Sequence, residues 1–157
     1  MTVLMSPDMA NFSGNVHGGA ILKLLDQVAY SCASRYSGCY TVTLSVDQVM
    51  FLQPIHVGEL VTFLASVNHV GRSSMEIGIK VIAENIQTQV VRHANSCFFT
   101  MVAVDDQRKP APVLPERQLR AVRKPNDPAR GASCRQLQCD RDQPQGRRRQ
   151  FGGEMQQ

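Results

Sequence analysis

From His17 to about Tyr36 the apolar residues Ile21, Leu24, Leu25, Val28, Ala29, Cys32 and Tyr36 recur at steps of three and four, with Lys23, Gln27, Ser31 and Ser34 opposite them. The spacing predicts one amphipathic helix of about five turns, laid by its apolar face on something large and ended by Gly38. Beyond Gly38 the period falls to two. Tyr40, Val42, Leu44, Val46, Met50 and Leu52 alternate with Thr41, Thr43, Ser45 and Asp47 until Pro54 interrupts. Val61, Phe63, Ala65 and Val67 alternate with Thr62, Ser66 and Asn68; after the turn Gly71-Arg72-Ser73-Ser74, Met75, Ile77, Ile79, Val81 and Ala83 alternate with Glu76 and Lys80. A polar turn at 85–89 leads into a last run, Val90 to Val104, closed by Asp105-Asp106 and by Pro110, Pro112 and Pro115. Residues 1–5 suit a further short strand. Such runs exceed the usual strand length, and short polar turns between them predict an antiparallel meander. One long helix before a sheet of long strands packs most economically if the sheet curls round the helix. The expected fold is therefore α+β, with an outer sheet face that stays partly polar and a free edge that pairs with a second copy.

The alternation stops at Pro115, and Gln, Arg, Gly and Pro dominate from Arg117 onward. One domain over 1–116 is expected, followed by a basic, disordered tail over 117–157; a short helix at Glu116 to Lys124 is the one ordered element the tail suggests. This division changes the meaning of the +4 formal charge: residues 1–116 hold 7 of the 17 basic and 9 of the 13 acidic residues, so the domain is mildly acidic. A nucleic-acid partner would rest on Arg147-Arg148-Arg149 and their neighbours alone, and is not expected. The five cysteines are odd in number and lack framework spacing, so reduced thiols are expected; Cys134 and Cys139 make a weak metal signal without a second pair, and no metal site is assigned. No apolar run reaches membrane-spanning length and the first residues lack a secretory pattern, so no membrane partner and a cytoplasmic location are expected.

Candidate chemistry concentrates in Asn11 to Asp26. A helix opening on Gly18-Gly19 presents backbone N–H groups, unblocked by side chains, at its positive end, which suits an oxyanion or a polarised carbonyl. Asp26, two turns on, falls between Leu22 and Tyr30 at the margin of the apolar stripe, beside small Ala29 and Ala33, and is a candidate base. Taken alone, it also suits a carboxylate solvated at the helix edge, the more common role of a lone helix acid. The pairing of amides with an acid points to acyl chemistry. His17 suits helix entry better than general-base work, and Asn11 is also a natural turn residue ahead of Gly14.

Five ordered blocks then resemble one family. They are Asn-Phe-Ser-Gly-Asn-Val-His-Gly-Gly from Asn11, Asp26 itself, Val46-Asp47 with Phe51 to Gly58, Gly71-Arg72-Ser73-Ser74-Met75, and Phe99 to Asp105. Together, over about residues 7–115, they resemble the hotdog-fold acyl-CoA thioesterases, particularly the bacterial YciA-like and brain acyl-CoA hydrolase branch. The resemblance implies a five- or six-stranded antiparallel sheet wrapped around a central helix, a dimer with sites at its interface, and often a hexamer as a trimer of dimers. It implies hydrolysis of acyl-CoA to a carboxylic acid and coenzyme A, as in fatty acid metabolism, with no cofactor beyond the coenzyme A of the substrate. Asp26 matches the family's acid, as general base or nucleophile, and Asn11 the asparagine that faces it from the partner subunit. There Asn11 would orient water with its oxygen and the carbonyl with its nitrogen, and the Gly18 and Gly19 amides would take the oxyanion. Arg72, Ser73 and Ser74 match a turn that approaches coenzyme A, although they also suit a plain hairpin turn; Gly58 would let the chain pass close to the pantetheine. The tail departs from the family's C-terminal helix, which bears on hexamer contacts. The rival readings are a non-catalytic acyl-CoA-sensing module and an acyl-thioester hydratase or dehydratase; the latter would prefer a His base on the helix.

Overall fold

The computed structural model describes residues 1–115. The tail, its proposed short helix, Cys134 and Cys139 lie outside the described residues. The chain runs β1 (Thr2–Leu4), a 3-10 turn (Pro7–Met9), α1 (Gly18–Ser37), β2 (Tyr40–Phe51), β3 (Leu60–Val70), β4 (Ser74–Asn85) and β5 (Val90–Val104). The strands form one sheet in the order β1-β3-β4-β5-β2, and every neighbouring pair is antiparallel. The hotdog architecture of one long helix wrapped by a sheet is thus present.

Helix α1 buries Ile21, Leu25, Val28, Ala29 and Ala33 against the concave face of the sheet. Each large apolar side chain so buried contributes about 1.5–3 kcal/mol. Their partners are Phe63, Met75, Ile77, Val81, Phe99 and Met101, all at most 1% exposed. Gly38 ends the helix in the left-handed region at φ 71°, where its N–H bonds the Ser34 carbonyl at 2.9 Å. The predicted helix and strand positions agree with the structure to within a few residues at each end.

One face is reversed. On β2 Thr41 and Thr43 point inward: Thr41 is buried and its hydroxyl meets that of Ser34 at 2.8 Å, while Tyr40, Val42, Leu44, Val46 and Met50 are exposed. Further along the strand, two one-residue bulges change the face twice. Register slips between Thr43 and Ser45 and again between Asp47 and Met50. Each slip exchanges faces, so the second cancels the first. Thr43 pairs with Met101 and Phe51 with Asn95, both on the helix-facing side. The second bulge holds Gln48 at φ 38°, a left-handed conformation uncommon for a residue with a side chain.

Cys32 and Cys97 are free thiols, as expected, and burial pushes the Cys97 thiol up to about 11. Cys39 departs from the expectation of reduced thiols: it is disulfide-bonded. No helix among the described residues is long and apolar enough to cross a membrane.

Candidate active site

Asp26 leaves the exposed flank of α1 toward β2. The Thr43 hydroxyl donates to its Oδ1 at 2.6 Å. The same hydroxyl lies 3.5 Å from the Met101 sulfur, but it has one proton, and the short bond to a charged oxygen takes it. No described cation pairs with Asp26. The carboxylate thus has one oxygen held by a hydroxyl and the other open. It borders a cavity of about 540 Å³ between α1 and β2, which Tyr30, Tyr40 and Thr43 also line.

Asn11 and Gly18 belong to a second cavity, of about 310 Å³, beside Phe51 to Ile55. Here the loop preceding α1 is folded by Asn11 itself. Its Oδ1 accepts the N–H groups of Ser13 at 2.9 Å and Asn15 at 3.1 Å. The amide oxygen assigned to a water is therefore engaged in the turn, and the Nδ2 protons remain uncommitted. His17 caps the helix: its Nδ1 accepts the Gly19 N–H at 2.9 Å, which fixes the ring as the Nε2–H tautomer. Gly19's N–H is thereby occupied, whereas Gly18's has no acceptor among the described residues. A Cβ at Gly19 would lie 3.0 Å from His17 Nδ1, and one at Gly18 a comfortable 3.6 Å from the Phe51 ring. Gly18 thus tolerates a side chain as far as its own protomer is concerned.

These groups do not converge within one chain. Gly18 and Asp26 are eight residues apart on α1, about 12 Å along its axis. The residues assigned to coenzyme A are also divided. The turn with Arg72, Ser73 and Ser74 joins β3 to β4; its Gly71 N–H bonds the Ser74 carbonyl at 2.8 Å, and the Arg72 side chain is exposed. Gly58 sits at the other end of the eleven-residue β3, about 33 Å away at the usual rise per strand residue. It occupies the left-handed region at φ 86° with open space where a Cβ would stand, so backbone conformation explains it without a close ligand. The turn does share an end with Asp26: Met75, Met101 and Thr43 stand in one row across β4, β5 and β2, two strand spacings or about 10 Å wide.

Three side chains near these cavities escape a reading of the sequence. Thr43 had a signal, an inward hydroxyl in a strand facing the acid. Glu59 is only 3% exposed and is bound by Arg92, 33 positions away. Asn95 is fully buried opposite Phe51, and neither amide atom has a partner among the described residues. Leaving a buried polar group unpaired costs about 1–3 kcal/mol. Asn95→Leu, which removes both atoms at similar volume, is therefore expected to raise the melting temperature measured by calorimetry. A lower value would mean that the amide is satisfied in the assembled protein. No three His, Cys, Asp or Glu side chains among the described residues gather as a metal site.

The model of the thioesterase superfamily matches residues 13–90. Protein VdlD of Helicobacter pylori is 56% identical over 113 residues, covering 72% of this chain and 64% of that protein. The chain thus spans somewhat less than two thirds of the length of that relative. The hexameric thioesterase of Yersinia pestis superposes with a TM-score of 0.70 at 30% identity, covering 73% of this chain and 93% of the other. The acyl-CoA hydrolase of Staphylococcus aureus, solved with butyryl coenzyme A and coenzyme A, gives 0.69 at 30% identity, covering 72% and 69%. That hydrolase has also been solved as separate alanine variants of an asparagine, an aspartate and a threonine, which follow one another at intervals of 15 and 17 residues.

Proposed function

The chain belongs to the hotdog-fold acyl-CoA thioesterases, and from that premise we propose that the assembled protein hydrolyses acyl-CoA to a carboxylic acid and free coenzyme A. The observation that carries the reading is the Asp26–Thr43 contact at 2.6 Å. Asn11, Asp26 and Thr43 follow one another at 15 and 17 residues, the same intervals as the three residues replaced in the Staphylococcus aureus hydrolase.

In this mechanism Thr43 holds one oxygen of Asp26, and the other takes a proton from water as it attacks the thioester carbonyl. Direct attack by Asp26, through an anhydride that water then opens, uses the same geometry. The carbonyl oxygen becomes an oxyanion, received by the open Gly18 N–H and the Asn11 Nδ2 protons. Gly19 joins only when His17 releases its N–H. The C–S bond then breaks. Its leaving thiolate is a good one, since thiols titrate near 8.5, so little acid assistance is required.

The site is shared across a dimer. Strand β2 is an edge with Tyr40, Val42, Leu44 and Val46 exposed along it, and an isologous pairing there is antiparallel. Such pairing brings the Phe51 end of one strand, with Asn11 and Gly18, alongside the Thr43 half of the other, with Asp26. It also accounts for the split coenzyme A residues: Arg72, Ser73 and Ser74 come from the Asp26 protomer and Gly58 from its partner. Three dimers forming a hexamer, a cytoplasmic setting and the absence of any cofactor complete the proposal. An Asn11→Ala variant mixed with an Asp26→Ala variant is expected to regain about a quarter of wild-type activity, because half of randomly exchanged dimers hold one intact site. Absence of recovery, with subunit exchange verified by mass spectrometry, rules out the shared site.

A further inference from the structure

The cavity beside Asp26 is an open cleft that follows α1 and β2. Along α1 it passes from Asp26 to Tyr30, and along β2 from Thr43 back to Tyr40, so the Asp26–Thr43 pair stands at one end and two tyrosines at the other. The two rings meet edge to face, centroids 5.7 Å apart and planes at 63°. That geometry is the favoured one for an aromatic pair and makes the two rings a single wall rather than two independent side chains. Tyr30 is one helical turn from Asp26, about 6 Å along the axis. An acyl chain running from a carbonyl at Asp26 into this cavity meets the wall after a few carbons.

Met1, Gln27, Ser31, Thr41 and Val42 complete the lining, which mixes apolar and polar groups. Ser31 donates its hydroxyl to the Gln27 carbonyl and Thr41 shares a hydrogen bond with Ser34, so the rings are the bulkiest groups that face a chain leaving Asp26. A short acyl group stops before reaching them.

Building on the acyl-CoA reading, we propose that Tyr30 and Tyr40 set the acyl chain length and restrict this enzyme to short acyl groups. The test compares kcat/KM for acetyl-, butyryl-, octanoyl- and palmitoyl-CoA in the full chain and in Tyr30→Ala, Tyr30→Leu, Tyr30→Phe and Tyr40→Ala. Wild type is expected to favour acetyl or butyryl over octanoyl by at least about tenfold, the discrimination a shaped pocket gives against extra methylenes. Tyr30→Ala, Tyr30→Leu and Tyr40→Ala are expected to raise the octanoyl-to-butyryl ratio by at least about tenfold, whereas Tyr30→Phe, which keeps the ring, retains the wild-type profile. The ratio within each variant is independent of the fraction folded. A wild-type profile that is flat or rises toward palmitoyl-CoA overturns the proposal, as does an unchanged ratio in both Tyr30→Leu and Tyr40→Ala. In those two outcomes thioester hydrolysis itself still stands. Loss of the proposed function shows differently, as no thiol release by wild type from any of the four substrates, and overturns both.

Discussion

Asp26→Ala and Asp26→Asn are each expected to lower kcat for acyl-CoA hydrolysis by about 10²- to 10⁴-fold, the usual contribution of a positioned general base, with KM changed only a few-fold. The two substitutions separate what the carboxylate does from what it touches. Asparagine keeps the side-chain length and an oxygen to accept the Thr43 hydroxyl, now 2.6 Å from Oδ1, but has no basicity. If Asp26 merely tied α1 to β2, Asn would rescue activity and Ala would not. If it handles the proton or attacks the carbonyl, both fail alike. Neither change threatens the fold, because Asp26 is exposed and no cation among the described residues depends on it. Thr43→Val leaves the acid in place but unoriented, so a smaller loss, on the order of tenfold, is expected from the missing hydrogen bond to a charged group. Thiol release followed with a thiol reagent, at saturating and limiting substrate, gives both constants. Turnover of Asp26→Asn within about threefold of wild type removes Asp26 from the chemistry, since a base contributes far more than that.

The sequence made the helix, the four long strands and the flank carrying Asp26 legible because each follows from a local period. What it concealed depends on pairs far apart in the chain. Tyr40 to Val46 alternate plainly, yet alternation alone does not say which set faces the helix. The register of β2 on β5 sets Thr41 and Thr43 opposite buried Ala103 and Met101, and the edge position of β2 leaves its apolar residues exposed. Bare amides at a helix start point to an oxyanion site at Gly18-Gly19, but no local pattern shows that His17 bends back and occupies one of them. Asn11 is legible as a turn residue and as a site residue, but the turn takes its oxygen and leaves only its nitrogen for the site. Gly58 suits clearance for a ligand, yet its φ of 86° is by itself a conformation that favours glycine. The partners of Glu59 carried no sequence signal, because a lone Glu and a lone Arg 33 residues apart look like surface charges.

That pair is expected to give the largest stability effect in the molecule. Glu59, 3% exposed, accepts two bonds from Arg92, at 2.5 and 2.6 Å, and one from the His56 N–H at 2.8 Å. Arg92 also donates to the Pro54 carbonyl at 2.7 Å. One guanidinium thereby ties β5 to the 54–59 connection, whose first residues wall the cavity holding Gly18. Arg92→Ala leaves a buried carboxylate without its countercharge and is expected to cost about 3–5 kcal/mol, a large share of the 5–15 kcal/mol of a typical domain. The pH dependence gives a check that packing loss alone would not. Burial pushes the Glu59 carboxyl up, but the Arg92 hydrogen bonds, the His56 N–H and the neighbouring positive charge together hold it below the usual carboxylate range. A depressed carboxyl stabilises the fold at neutral pH, and that contribution is lost as pH falls below the unfolded value, near 4.3, through the folded one. In Arg92→Ala, burial is opposed only by His56, so Glu59 binds its proton more readily and acid relieves the lone buried charge. The difference in melting temperature between wild type and Arg92→Ala is therefore expected to shrink between pH 7 and pH 4 in calorimetry. A difference that stays constant would show that the variant suffers from lost packing, and that the charge pair contributes nothing of its own.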